Sequence, residues 1–269
     1  MWLFFRNFMN KIYSILSLLL LCSCATDIDF HIPVNRFESP EVNGKFLKGN
    51  IDIGFGSSHK VTTAEVAETI FPSTFDPTVT EGGGIEKSFH LSSSFSLGLL
   101  KRLDFVFKSH GDGADVWGAK YQFLGSVASE SSNGWKGSLQ LTKGSMSESE
   151  GTLNVSLRSG GTRNYEGYIE IDTYDASLNF GYRFNKYLIT YLNSVYSYYD
   201  SESTMSSNSF STIYVNGIVR TYGGLLGARL GKYDQNLSVI IESGLMYSTW
   251  EKDISETSIP VGVRFSYNW

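Results

Sequence analysis

From residue 47 onward the chain is written in alternating apolar and polar positions, segment after segment. In LKGNIDIGF, Leu47, Ile51, Ile53 and Phe55 share one face and Lys48, Asn50 and Asp52 the other. FHLSSSFSLGLL sets Phe89, Leu91, Phe95, Leu97 and Leu99 against His90, Ser92, Ser94 and Ser96. LDFVFK and VWGAKYQFLG follow the same rule, with Leu103, Phe105 and Phe107 opposite Asp104 and Lys108, then Trp117, Tyr121 and Phe123 opposite Lys120 and Gln122. The second half repeats it in YDASLNFGYRF, where Tyr174, Leu178, Phe180, Tyr182 and Phe184 oppose Asp175, Ser177, Asn179 and Arg183. NLSVIIESGLMYSTW does so again, with Leu237, Val239, Ile241, Leu245 and Tyr247 against Ser238, Glu242 and Ser248. Strict alternation over such lengths predicts strands with one apolar and one polar face.

A soluble sandwich or barrel with its apolar face inward gives this pattern, and so does a membrane barrel with that face outward. Three features favour the second. Segments of about ten residues match a tilted strand crossing a bilayer, whereas soluble strands average about five or six. Phe55, Trp117, Phe123, Trp135, Phe184, Tyr187, Trp250 and Trp269 stand near segment ends, as interfacial girdles do. Short links (KR at 101 to 102, NK at 185 to 186, KYDQ at 232 to 235) alternate with long ones, among them the stretch from Ser57 to Lys87 and SESTMSSNSFS. The expected fold is therefore all-β, a transmembrane antiparallel up-and-down β-barrel of about ten strands, with twelve as the alternative. The choice turns on GWKGSLQLTKGSMSESEGTLNVSLRSGGTRNYEGYIEID, which reads as one projecting hairpin with SGGTR near its tip or as two further spanning strands.

The last strand, PVGVRFSYNW, places Val261, Val263, Phe265, Tyr267 and Trp269 at every second position and ends on an aromatic residue. In this it resembles the bacterial outer-membrane β-barrel proteins, whose terminal strand carries such a signal for the insertion machinery. The resemblance covers residues 46–269 as an architecture. It implies outer-membrane lipids, lipopolysaccharide and barrel insertion machinery as partners, short turns on the periplasmic side and long loops outside.

The front of the chain reads as a targeting segment, with Arg6 and Lys11 ahead of an apolar run too short to span a bilayer comfortably; the start is Met1 or Met9. Leu21-Cys22-Ser23-Cys24 resembles the lipobox of bacterial lipoprotein signals, which implies a diacylglycerol on Cys24 and lipoprotein-processing enzymes as partners. Ordinary signal cleavage after Ala25 is the alternative. Residues 1–24 are thus the signal peptide and residues 25–45 an aperiodic periplasmic tether, with the lipid-anchored amino terminus on the periplasmic side and the barrel occupying residues 46–269. Both cysteines lie in the signal, so the fold is expected to form without a disulfide.

Composition agrees with a barrel: 18% charged residues, 14% aromatic, 27 Gly and a mean hydropathy of -0.13. Losing Arg6 and Lys11 leaves 20 basic against 27 acidic residues, a net charge of -7 that argues against a nucleic-acid partner. Inward charges form a candidate lumen network of Glu242, Arg264, Arg183, Arg229 and Lys120. If the last hairpin turns near Asp253, Glu242 and Arg264 stand opposite each other, and a barrel of about ten strands leaves little more than a narrow wet path.

For catalysis, His90-Leu91-Ser92 resembles the His-x-Ser pair of outer-membrane phospholipase A and lipid A deacylase, although both residues here share the face opposite Phe89 and Leu91. His110, Asp112 and Asp115 read as a Gly-rich turn, and no metal or cofactor is expected. Two functions follow as expectations. One is a monomeric, non-enzymatic outer-membrane barrel lipoprotein that stabilises the envelope, passes small solutes or presents loops; the other is a lipid-acting hydrolase using His90 and Ser92.

Overall fold

The computed structural model describes residues 25–67, 78–130, 132–157, 161–207, 210–231, 237–250 and 253–269. The signal segment with Cys24, the link at 232 to 235 and part of the SGGTR tip lie outside the described residues. Twelve strands stand among those described: β1 Ala25–Pro33, β2 Gly49–Ala67, β3 Thr78–Leu100, β4 Leu103–Ser109, β5 Asp115–Leu124, β6 Gly134–Leu157, β7 Gly161–Arg183, β8 Leu188–Ser207, β9 Phe210–Leu230, β10 Leu237–Trp250, β11 Ile254–Ser258 and β12 Val261–Asn268.

Neighbouring strands pair antiparallel from β2 through β10, and β12 then pairs β2 to close the ring. β11 and β12 lie one after the other on the same edge of β10, so they count as one stave. The wall is therefore a ten-stave up-and-down barrel. The doubtful region is a single hairpin, β6 and β7, whose register runs from Gly134↔Arg183 to Leu157↔Gly161. The described parts of the two long connections expected as loops, 57–67 with 78–87 and 201–207 with 210–211, are likewise extensions of β2, β3, β8 and β9.

At the end that carries the short turns, the outside of the wall is apolar. Ile51, Ile53, Phe55, Leu91, Trp117, Tyr121, Leu141, Leu178, Leu192, Leu226, Leu237, Ile241, Phe265 and Tyr267 point outward and are exposed, as the alternation predicts. Ten residues of tilted strand give this belt a height of about 25 Å, the thickness of the lipid-facing band of a membrane barrel. The residues expected to carry an insertion signal lie at this level, where Val261, Phe265 and Tyr267 face outward. Trp269 stacks on Phe95 with ring centroids 5.8 Å apart, and its N–H donates to Gly49 O at 3.1 Å.

Beyond the belt the polarity of the two faces inverts while the register continues. On β7 the outward residue Tyr174 is 57% exposed, whereas Ile169 and Ile171, of opposite parity, are fully buried. They join Ile28, Phe30, Val61, Val215, Val219, Tyr199, Met205 and Trp250 in an apolar core inside the upper barrel. The outer face at this level is polar, with Glu170, Asp172, Asp200 and Glu202 exposed. Above the bilayer, water is outside and the apolar side chains turn in; within it, lipid is outside and they turn out. His59 sits in the upper part with Nδ1 2.6 Å from Ser248 Oγ and Nε2 2.8 Å from Ser258 Oγ. Burial pushes its imidazole down to about 4, so it remains neutral and pinned by both hydroxyls.

Residues 25–45 depart from expectation. Ile28, Phe30 and Ile32 alternate with Asp27, Asp29 and His31, so the segment begins with a strand rather than an aperiodic tether. β1 pairs with the edge of β2 that β12 leaves free, from Pro33↔Ser58 to Ala25↔Ala67. Residues 34–43 then run buried down the lumen, and Gly44, at φ 80 and pressed against Val127, turns the chain out at the short-turn end. Ala25 accordingly lies at the end opposite Trp269, whereas the tether was expected at the same end as Trp269. Ala25 and Trp269 are separated because β1 and β12 both descend antiparallel to β2: the described chain starts at the top of β1 and ends at the foot of β12.

The face inversion makes a test. Ile169→Asp, which puts a carboxylate into the upper core, is expected to cost at least about 3 kcal/mol in urea unfolding of the micelle-embedded protein. Glu170→Ala, one residue away on the outer face, should stay within about 0.5 kcal/mol of the parent. Equal effects would place the two side chains in the same environment and refute the inversion.

Candidate functional site: the plugged lumen

The spanning strands turn every second residue into the lumen, many of them polar, and the buried basic ones outnumber the acidic. Lys108, Lys120, Lys136, Arg183, Arg229 and Arg264 are buried there together with Asp52, Asp104 and Glu242. Residues 34–43 meet this excess with Glu38 and Glu41. Lys108 Nζ and Ser177 Oγ donate to Glu38, as does Gln140 Nε2 at 2.9 Å. Arg183 grips Glu41 with two nitrogens, Nε at 2.7 Å, and Lys136 lies 3.7 Å away. Arg36 supplies the complementary cation, 3.5 Å from Asp175 and bonded to Ser197.

The backbone of the segment is held as well. Glu242 Oε2 accepts the N–H groups of Arg36 at 2.7 Å and Phe37 at 2.9 Å, and Tyr191 O–H donates to Oε1 at 3.3 Å. Lys120 Nζ donates to the carbonyls of Ser39 and Glu41. Asn43 donates from both its backbone and its side chain to Asp104 at 2.9 Å, and Val42 N–H donates to Gln122. Below, Ala128 N–H donates to Val42 O, so the short 3-10 turn at Ala128–Glu130 closes the floor. Among the described residues a cavity of about 50 Å³, room for a few waters, lies in the lumen beside Glu38, Asp104, Lys108 and Arg264.

The five charges expected in the lumen are all there, but Glu242 and Arg264 are not a cross-strand pair. Glu242 stands opposite Gly262 and Arg264 opposite Ile240. Glu242 is taken by the threaded backbone. Arg264 reaches Ser92 and Ser94, lies 3.8 Å from Asp52 and covers the Phe37 ring at 4.6 Å. Arg229 binds Ser238 and Asn268. His90 and Ser92 face the same lumen; the His90 ring packs edge-on against His110 with centroids 5.6 Å apart, while Ser92 Oγ donates to Gly54 O and accepts from Arg264. His110 lies in the turn, where Asp112 O accepts His31 N–H at 3.1 Å. No group of three or more metal-ligating side chains occurs among the described residues.

Arg36, Glu38 and Glu41 escape a strand-by-strand reading because their meaning depends on charges brought from distant strands. The signal open to sequence was the alternation of Ile28, Phe30 and Ile32, followed by a charged run, VNRFESPEVN.

A ten-stave barrel stoppered by its own amino-terminal segment is the class that fold and site define. No protein-family model matches the chain, and neither does any curated protein. Among solved structures, Ail, the attachment invasion locus protein of Yersinia pestis, in complex with the heparin analogue sucrose octasulfate, is 11% identical. The match covers 84% of this chain and 100% of that one, at a TM-score of 0.35. A loop L8 deletion mutant of OmpT, an outer membrane protein of Vibrio cholerae, is 9% identical over 82% and 99% at 0.18. The outer membrane protein OprD of Pseudomonas aeruginosa is 9% identical over 86% and 97% at 0.14. Likenesses this distant carry no argument about what the chain does.

Glu41 provides the test of the network. Glu41→Gln leaves Arg183 and Lys136 buried without their carboxylate and should lower unfolding stability by about 3–5 kcal/mol. Adding Lys136→Met should recover part of the loss. An unchanged midpoint for Glu41→Gln would mean that the segment is not docked in the lumen.

Proposed function

We propose that the protein is a non-enzymatic outer-membrane barrel, closed to solutes, that works by presenting the upper barrel and its hairpins outside the cell. The observation that carries this reading is the occupied lumen: residues 34–43 run buried down it, and the cavity beside Glu38, Asp104, Lys108 and Arg264 measures about 50 Å³. A cavity of that size suits bound water and offers no continuous path. The exterior belt supports residence in a membrane, and ten antiparallel staves with short turns at one end support the outer membrane. Beyond the belt, β6 to β9 run as hairpins of 20 to 24 residues per strand, about twice the length a bilayer needs. Their apolar interior makes the upper barrel a rigid, water-facing platform. Ser92 is engaged by Gly54 and Arg264 and faces the lumen, away from lipid, which supports a role without hydrolysis.

Conductance tests the reading. The intact protein in a planar bilayer should be silent, and the chain lacking residues 25–43 should give steady currents. An intact protein that conducts would overturn the proposal.

Lipid modification belongs to the same reading, on the strength of Leu21-Cys22-Ser23-Cys24 alone. The intact mass of the mature chain should show diacylglycerol on Cys24. An unmodified chain beginning at Thr26 would rule it out.

A further inference from the structure

We infer that the protein carries its own amino terminus through its barrel to the cell surface, so that the segment beginning at Ala25 is displayed outside. The inference rests on the membrane orientation proposed above. The direction of the threaded chain is fixed at each level. Asn43 binds Asp104, near the turn at 101 to 102; Glu38 meets Lys108 and Gln140 higher up; Arg36 and Phe37 meet Glu242; Val34 N–H donates to Ser57 O at 3.1 Å. Read from Asn43 back to Val34, the path climbs away from the short turns. β1 continues the climb to Ala25↔Ala67, past the last residue that β12 pairs on β2, Phe55.

The exit is built rather than incidental. Ile28, Phe30 and Ile32 are buried in the upper core, and Phe30 lies 6.2 Å from the Tyr199 ring. Thr63 Oγ1 donates to Ile28 O, and Lys60 on β2 bridges Asp29 at 2.7 Å and Asp27 at 3.1 Å. Those three groups stand on the opposite face from the core, with Asp27 partly open to solvent.

Two consequences follow. A diacylglycerol on Cys24, one residue before Ala25, would sit on the outer side of the membrane rather than the periplasmic one. Such a group cannot pass a lumen of this size once the ring is complete. Threading must therefore precede closure of the β2 to β12 seam, whose register spans only Asn50 to Phe55 on β2.

Cysteine accessibility tests the exit. Asp27→Cys, Glu202→Cys on the outer face of β8 and Lys186→Cys in a short turn would each be probed with a membrane-impermeant maleimide, the parent chain setting the background. On intact cells Asp27→Cys and Glu202→Cys should label to the same extent, with Lys186→Cys labelling only after permeabilisation. Labelling of Glu202→Cys alone on intact cells would overturn the threading and leave the orientation standing. Labelling of Lys186→Cys alone would overturn the orientation, and the inference with it. Asp29→Cys supplies a second probe if Asp27→Cys fails to assemble, because Lys60 retains one carboxylate in either variant.

Discussion

Charge compensation inside the lumen is the constraint on which the rest of the molecule depends. Lys108, Lys136 and Arg183 point into a space that lipid surrounds, and a buried cation without a partner is costly. Glu38 and Glu41 supply the partners from a segment that belongs to no stave. The wall and the threaded chain are therefore incomplete without each other, since an empty wall would hold surplus cations and a free segment would expose Phe37 and Val42. This interdependence fixes where the chain enters, where it leaves and how much lumen remains.

The second organising fact is that one register serves two solvents. Along β7 the side chains alternate without interruption from Glu166 to Arg183, yet Ile169 and Ile171 point into the upper core while Leu178 and Phe180 point out to the belt. A strand keeps its pleat across the bilayer surface, so the only way to follow the change of surroundings is to change which parity carries the apolar residues. The upper barrel is thereby packed like a soluble domain and the lower barrel like a membrane one. β1 belongs to the first region and residues 34–43 to the second, which is why apolar contacts hold the former and ion pairs the latter.

Much of the wall was legible in the chain because it follows from local alternation. Leu47 to Phe55, Trp117 to Phe123 and Val261 to Trp269 disclose both the strand and its outward face. The candidate site was legible only in part. Arg183, Arg229, Lys120, Arg264 and Glu242 are inward by parity, but Glu41, Asn268, Ser39, Ser92 and Arg36, which meet them in that order, lie 39 to 206 residues away and no period announces them. The expected Glu242 to Arg264 pair failed by two residues because β10 pairs with β11 and β12 in a register other than the one a turn centred on Asp253 gives: Trp250 stands opposite Ile254 and Glu242 opposite Gly262.

The sequence by itself disclosed most of the spanning strands and their outward faces and narrowed the count to ten or twelve, since each rests on a period of two read within a single segment. Tertiary structure alone decided that residues 34–43 stopper the barrel and that Ala25 and Trp269 lie at opposite ends. Those facts depend on which surplus charges meet across the lumen and on which edge of β2 stays free, and a linear pattern encodes neither.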